Sequence, residues 1–226
     1  MTTTKALNGE NFSLVERVLS ITRERILSGV YPPGSRLRLR MLAEESGASL
    51  IPVREALRVL EAERLVESIP NRGARVAPLS LDDMQDLYSV RILLETEAVR
   101  HARPLDPEEE VALTALLDDL KQASASDDVA RVLELHRRYH FALYGRTDSS
   151  WQPYLIDLLW KHTERYQRLS LAFRHDAADP EHRAVLEALA GGDNDLAASA
   201  LRSHLETTAK LVIDAYQAPE GEAATS

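Results

Sequence analysis

The chain has 226 residues, of which 44% are hydrophobic, enough for one or two compact cores, and its lack of cysteine excludes disulfides and thiolate metal sites. The polar stretch from Met1 to Phe12 lacks the apolar core of a signal peptide, and no run approaches the roughly 18 apolar residues of a membrane helix, so a cytoplasmic protein without a membrane partner is expected. The net charge of −9 opposes nucleic-acid binding overall, but residues 1–78 carry 12 Lys and Arg against 9 Asp and Glu, a net +3, while the remainder carries 15 against 27, a net −12.

Taken in chain order, residues 1–12 read as a flexible N-terminus. Leu14, Val15, Val18, Leu19, Ile21, Thr22 and Ile26 then recur at helical spacing from Leu14 to Leu27, with Ser13 as N-cap and Gly29 as the stop. The segment Tyr31-Pro32-Pro33-Gly34-Ser35 cannot be helical and reads as a rigid turn. A short helix follows from Leu39 to Ser46, ended by Gly47. Ser49 opens another that runs from Ile51 to Ala62, with Pro52 in its first turn. Two short helices joined by a tight glycine turn make a helix-turn-helix. Beyond them, the β-prone runs Leu65–Ile69 and Ala74–Ala77 flank Pro70-Asn71-Arg72-Gly73, which reads as the hairpin of a two-stranded wing.

Pro78-Leu79-Ser80 reads as a linker, with Ser80 capping the next helix. Helical periodicity fills the rest: Asp82–His101, Pro107–Ala123, Asp127–Tyr144, Trp151–Arg174, Pro180–Ala190 and Asp193–Tyr216. The expected architecture is mostly α, with a winged helix-turn-helix of three helices and a two-stranded wing over 13–78, an all-helical bundle over 79–217, and a disordered acidic tail over 218–226.

Sequence-specific DNA reading needs a helix with polar side chains near its N-terminus and cations that fix the register on phosphates. The second helix of the pair carries Ser49 at its start and Arg54 and Arg58 four residues apart on one face. Arg36, Arg38 and Arg40 precede the pair, and Arg72, Gly73 and Arg75 belong to the wing. One at a time these arginines read as a solvated face; together with the basic first third and the hairpin they make a DNA-binding module.

In the second half, His136 and His140 stand four apart on one helix, so both imidazoles leave the same face, the spacing that a metal ion needs from a single helix. His182 and His204 lie on the last two expected helices among apolar neighbours, and a bundle interior can gather all four around one ion. The alternative for each is a hydrogen-bonded core histidine.

The run Ile26-Leu27-Ser28-Gly29-Val30-Tyr31-Pro32-Pro33-Gly34-Ser35-Arg36-Leu37, then Leu42-Ala43-Glu44, Pro52-Val53-Arg54-Glu55-Ala56-Leu57-Arg58-Val59-Leu60-Glu61 and Pro70-Asn71-Arg72-Gly73-Ala74-Arg75-Val76 resembles the GntR family of regulators. The second half is similar to the FCD domain of the FadR branch, and the resemblance spans about residues 14–216. Where such regulators carry Ser-Arg-Thr before Pro-Val-Arg, this chain has Ser49-Leu50-Ile51, so Leu50 or Ile51 either touches a thymine methyl or is partly buried. The customary Gly after the recognition helix is Arg64, a further phosphate contact on this reading. The FCD pattern of Asp-x-x-Phe-His followed by two further histidines maps onto His140, His182 and His204, with His136 in the Asp position. The resemblance implies a divalent metal, with zinc or nickel suited to the all-imidazole set.

An open position on such an ion anchors a carboxylate or hydroxy-acid. Arg91 matches an effector contact of the family, with a salt bridge to Glu95 as the competing assignment. Tyr88, Tyr139, Trp160 and Tyr166 line the pocket or belong to the core. The resulting expectation is a homodimeric repressor of double-stranded operator DNA, released by a small organic acid. The same DNA-binding module on a metal-free dimerisation scaffold is the alternative. A metallohydrolase is disfavoured because Arg137 stands where H-E-x-x-H enzymes place their base.

Overall fold

The computed structural model describes residues 14–69, 73–126, 128–170 and 178–217. The expected N-cap Ser13, the wing-tip residues Pro70, Asn71 and Arg72, and the flexible termini assigned to 1–12 and 218–226 lie outside them. The chain divides into two compact units, Met1–Leu79 and Ser80–Ser226.

In the first unit, α1 (Leu14–Leu27) packs against α2 (Leu39–Ser46) and α3 (Leu50–Ala62), as the apolar stripe Val18, Thr22 and Ile26 dictates. Gly47 ends α2 at φ 63°, in the left-handed region that glycine adopts without steric cost. The wing is β2 (Val66–Ile69) antiparallel to β3 (Gly73–Val76), with Val66 opposite Val76 and Ile69 opposite Gly73. A third strand, β1 (Arg36–Leu37), pairs with the other edge of β3 and gives the order β1-β3-β2. The core gathers Val18, Ile26, Leu37, Leu42, Val53, Ala56, Leu60, Leu65, Val66 and Val76.

Arg64, at φ 57°, is the one non-glycine residue at positive φ among the described residues. It occupies the αL position of a Schellman turn: Leu65 N–H donates to Leu60 C=O at 2.9 Å and Arg64 N–H to Glu61 C=O at 2.9 Å, while Leu60 and Leu65 share the core. A non-glycine αL residue costs about 1–2 kcal/mol, offset in part by the ~0.5–1 kcal/mol of chain entropy that glycine loses on folding. Arg64→Gly is therefore expected to hold or raise the first calorimetric transition, and Arg64→Val, β-branched, to lower it. A separation between the two variants smaller than about 1 kcal/mol, less than roughly 4 °C in a domain of this size, would argue against strain at this turn.

The second unit contains α4 (Leu81–Arg100), α5 (Pro107–Ala125), α6 (Val129–Tyr144), α7 (Trp151–Ser170), α8 (Ala178–Ala190) and α9 (Asn194–Gln217). Ser80 caps α4 by accepting from Asp83 N–H. Asp106 and Glu109 form a capping box on α5, with Pro107 in its first turn. Helix α4 packs on α9 and α7, α8 on α9, and α5 on α6 and α8, around Leu117, Tyr139, Leu143, Ile156, Trp160, Val185, Leu189, Leu201 and Leu205. No helix among the described residues is long and apolar enough to cross a membrane.

Candidate functional site

Two sets of residues stand apart from ordinary packing, one in each unit. In the first unit α3 buries Val53, Ala56, Leu57 and Leu60, which leaves Arg54 and Arg58 exposed on the opposite face. Helix α3 begins at Leu50, one residue earlier than the sequence suggests. Ser49 is its N-cap residue by backbone conformation, but its side chain makes no capping hydrogen bond and stays exposed. Leu50 and Ile51 are 41% and 71% exposed, so Ile51 stands largely free while Leu50 remains partly covered.

Arg36 on β1, Arg38 at the start of α2 and Arg40 in its first turn are also exposed. None of Arg36, Arg38, Arg40, Arg54 and Arg58 has an ion pair among the described residues. Arg75, opposite Arg36, is held by Glu67 at 2.7 Å. Gly73 starts β3 exposed at φ 91°. This unit therefore offers exposed cations without ion pairs among the described residues, on α3 and along β1 and the start of α2, which suits a phosphate backbone.

In the second unit α6 supplies His136 and His140, α8 His182 and α9 His204, and one ring nitrogen from each falls within 4.8 Å of the others. His140, His182 and His204 are buried and His136 half-buried. His140 Nε2 lies 3.1 Å from Nε2 of both His136 and His182. A tetrahedral ion with Zn–N of about 2.05 Å requires nitrogens about 3.3 Å apart; two pairs already stand near that spacing, and the rest, all within 4.8 Å, would close by at most about 1.5 Å. Burial first, then repulsion from His136, His182, His204 and Arg91, drives the His140 pKa far below its usual value, which favours the neutral imidazole that a metal requires.

Carboxylates stand behind two of these rings. Glu181 Oε2 lies 2.8 Å from His204 Nδ1. On His140, Nδ1 lies 2.8 Å from the Tyr144 hydroxyl, which donates to Glu95 Oε2. Burial, reinforced by Glu95, pushes the Tyr144 phenol well above its ordinary pKa and keeps it protonated. Tyr139 donates to the His182 carbonyl at 2.7 Å and so fixes the backbone that carries that ligand candidate.

Arg91 is 1% exposed and paired with Glu95, Nε to Oε1 at 2.7 Å and Nη2 to Oε2 at 3.4 Å, so the salt bridge weighed against an effector role is present. The guanidinium also lies 4.9 Å from the ring centroids of both Tyr88 and Trp160, and its Nη1 has no hydrogen-bond partner among the described residues. Trp160 lies 5.5 Å from His136 and 5.2 Å from His140, ring to ring, so it bridges Arg91 and the histidines. Tyr166 instead bonds Asp83 and Ser80 at the start of α4. The roles of Glu95, Tyr144 and Glu181 around the histidines were not read from sequence. The i, i+4 spacing of His140 and Tyr144 and the adjacency of Glu181 to His182 were the available signals.

Residues 14–76 match the family described as bacterial regulatory proteins, gntR family, and residues 86–207 match the FCD domain. The uncharacterized HTH-type transcriptional regulator BphR of Paraburkholderia xenovorans is 32% identical over 88% of this chain and 85% of its own length. The HTH-type transcriptional repressor GlaR of Escherichia coli is 27% identical over 83% of this chain and 90% of its own. Among solved structures, Escherichia coli McbR/YncC superposes with a TM-score of 0.75 at 25% identity, covering 91% of this chain and 99% of that one.

Proposed function

The chain belongs to the gntR family of bacterial regulatory proteins, carries an FCD domain and is a DNA-binding transcriptional regulator rather than an enzyme; from that premise we propose that it is a cytoplasmic repressor released from its operator by a small carboxylic or hydroxy-acid effector. The observation that carries the sensing half is the convergence of four imidazoles inside the helical bundle. His136, His140, His182 and His204 would hold a divalent ion, zinc or nickel. When bound, the ion would supply Lewis-acid character to an effector oxygen that adds to the four imidazoles as a further ligand. Arg91 offers its Nη1 to the same acid while its other nitrogens stay on Glu95, and the rings of Tyr88 and Trp160 pack against the guanidinium. Glu181 turns His204 so that Nε2 faces inward.

On the DNA side, Ser49, Leu50, Ile51, Arg54 and Arg58 enter the major groove on α3, and Arg36, Arg38 and Arg40 contact phosphates. Arg72 and Gly73 belong to the wing contact. Exposed Leu50 and Ile51 in place of polar side chains favour thymine methyl contacts over hydrogen-bonded readout. Two copies on a two-fold symmetric operator complete the assembly, and effector binding changes the spacing of their recognition helices.

The DNA reading is tested by fluorescence anisotropy on a fragment selected for tight binding from random sequence. Arg54→Ala and Arg58→Ala are each expected to weaken binding by about 1–3 kcal/mol, with a salt slope lower by about 1 for whichever of them contacts phosphate. Arg131→Ala, a half-buried position of α6 paired with Glu134 at 2.8 Å, serves as the neutral control. Equal affinity in all three variants would contradict the assignment of α3.

A further inference from the structure

We infer that Tyr144 and Glu95 are positioning residues that lock His140 in the tautomer whose Nε2 lone pair faces the other three imidazoles. The inference deepens the metal reading above and rests on it. Both Glu95 oxygens are saturated acceptors: Oε1 receives Arg91 Nε at 2.7 Å and Trp160 Nε1 at 3.1 Å, and Oε2 receives Arg91 Nη2 at 3.4 Å and the Tyr144 hydroxyl. All four of these side chains are at most 1% exposed, so water does not compete for the hydroxyl proton.

Tyr144 has one proton, and it points at Glu95. The phenolic oxygen therefore presents a lone pair to His140 Nδ1 at 2.8 Å, and that nitrogen must be the donor. With Nδ1 protonated, Nε2 carries the lone pair, at 3.1 Å from Nε2 of His136 and of His182. A carboxylate thus orients His140 through an intervening hydroxyl, while Glu181 orients His204 directly. The i, i+4 steps Arg91–Glu95 on α4 and His140–Tyr144 on α6 put all four groups of the relay on two facing turns. The guanidinium proposed as the acid anchor and the imidazole proposed as a metal ligand therefore share one carboxylate.

The relay is tested first in the metal-free wild type by long-range proton–nitrogen NMR of the imidazoles. His140 is expected as the Nδ1–H tautomer, and finding Nε2–H would overturn the inference whether or not the protein binds metal. The second arm is zinc affinity by chelator competition in wild type and Tyr144→Phe. Loss of an orienting partner weakens metal binding by about 10–100-fold. The cobalt-substituted variant is expected to show shifted visible bands, a change that loss of packing alone does not produce.

Zinc binding by wild type with unchanged affinity in Tyr144→Phe would overturn the relay and leave the metal site standing. Absence of zinc binding in wild type would remove the metal reading, and the tautomer would still decide whether the relay exists. Should Tyr144→Phe not fold, the wild-type spectrum decides alone.

Discussion

His140→Ala is expected to abolish stoichiometric zinc binding and the rise in melting temperature that zinc produces in wild type. His140 is the hub of the quartet: its Nε2 lies 3.1 Å from two other Nε2 atoms, and its ring stacks on His204 at 26° with centroids 5.3 Å apart. Binding energies of about 10–16 kcal/mol for four-ligand zinc sites assign about 2.5–4 kcal/mol to each ligand, or a loss of roughly two to three decades in affinity. At a zinc concentration 100-fold above the wild-type Kd, wild type gains about 2.7 kcal/mol and the variant almost nothing. Melting both proteins with and without chelator separates this loss from the cost of the cavity and of the broken Tyr144 contact, which persists without metal. An equal zinc-induced shift in both would remove His140 from the site.

Glu95→Ala is expected to be the most destabilising single substitution in the second unit, by about 3–5 kcal/mol, because it strands a buried cation. Arg91 and Glu95 are 1% and 0% exposed at the side chain, and Glu95 is also the acceptor for Trp160 and Tyr144. Each stranded donor adds a desolvation cost of about 1–3 kcal/mol, although costs within one network do not simply add. Against a typical total of about 5–15 kcal/mol, a loss of this size leaves a protein that unfolds well below the wild-type temperature. Glu97→Ala, one half-turn on, is the control: Glu97 pairs with Arg100 and His101 at the surface, where such pairs contribute about 0–1 kcal/mol. Urea denaturation of the two variants is expected to separate them clearly. A Glu95→Ala loss near that of Glu97→Ala would mean that Arg91 finds water or another partner.

Much of this molecule was legible in the chain itself because its signals are local. The stripe Val18, Thr22 and Ile26 announces α1, the Gly47 turn separates α2 from α3, and the i, i+4 pair His136 and His140 requires only that α6 be a helix. What stayed hidden depends on contacts between elements. Strand β1 is two residues long, too short for any periodic pattern, and exists because β3 has an edge to pair with. Ser49 has the side chain of a capping residue, yet no capping bond forms. Arg91 was open between an acid anchor and a partner of Glu95, and the bundle pairs it with Glu95 while leaving Nη1 without a bond among the described residues. The Tyr144 bridge could not be read at all, because it requires α4 and α6 to be neighbours.

The most direct test of the sensing account is DNA affinity measured on the selected fragment with zinc-loaded and chelator-stripped protein, each against a panel of small carboxylic and 2-hydroxy acids. The account predicts that at least one acid weakens binding of the loaded protein by about 5–150-fold, a coupling of about 1–3 kcal/mol, and leaves the stripped protein unchanged. DNA binding that is tight in both states and indifferent to every acid would contradict it, and would leave the histidine-lined bundle as a scaffold for the DNA-binding unit.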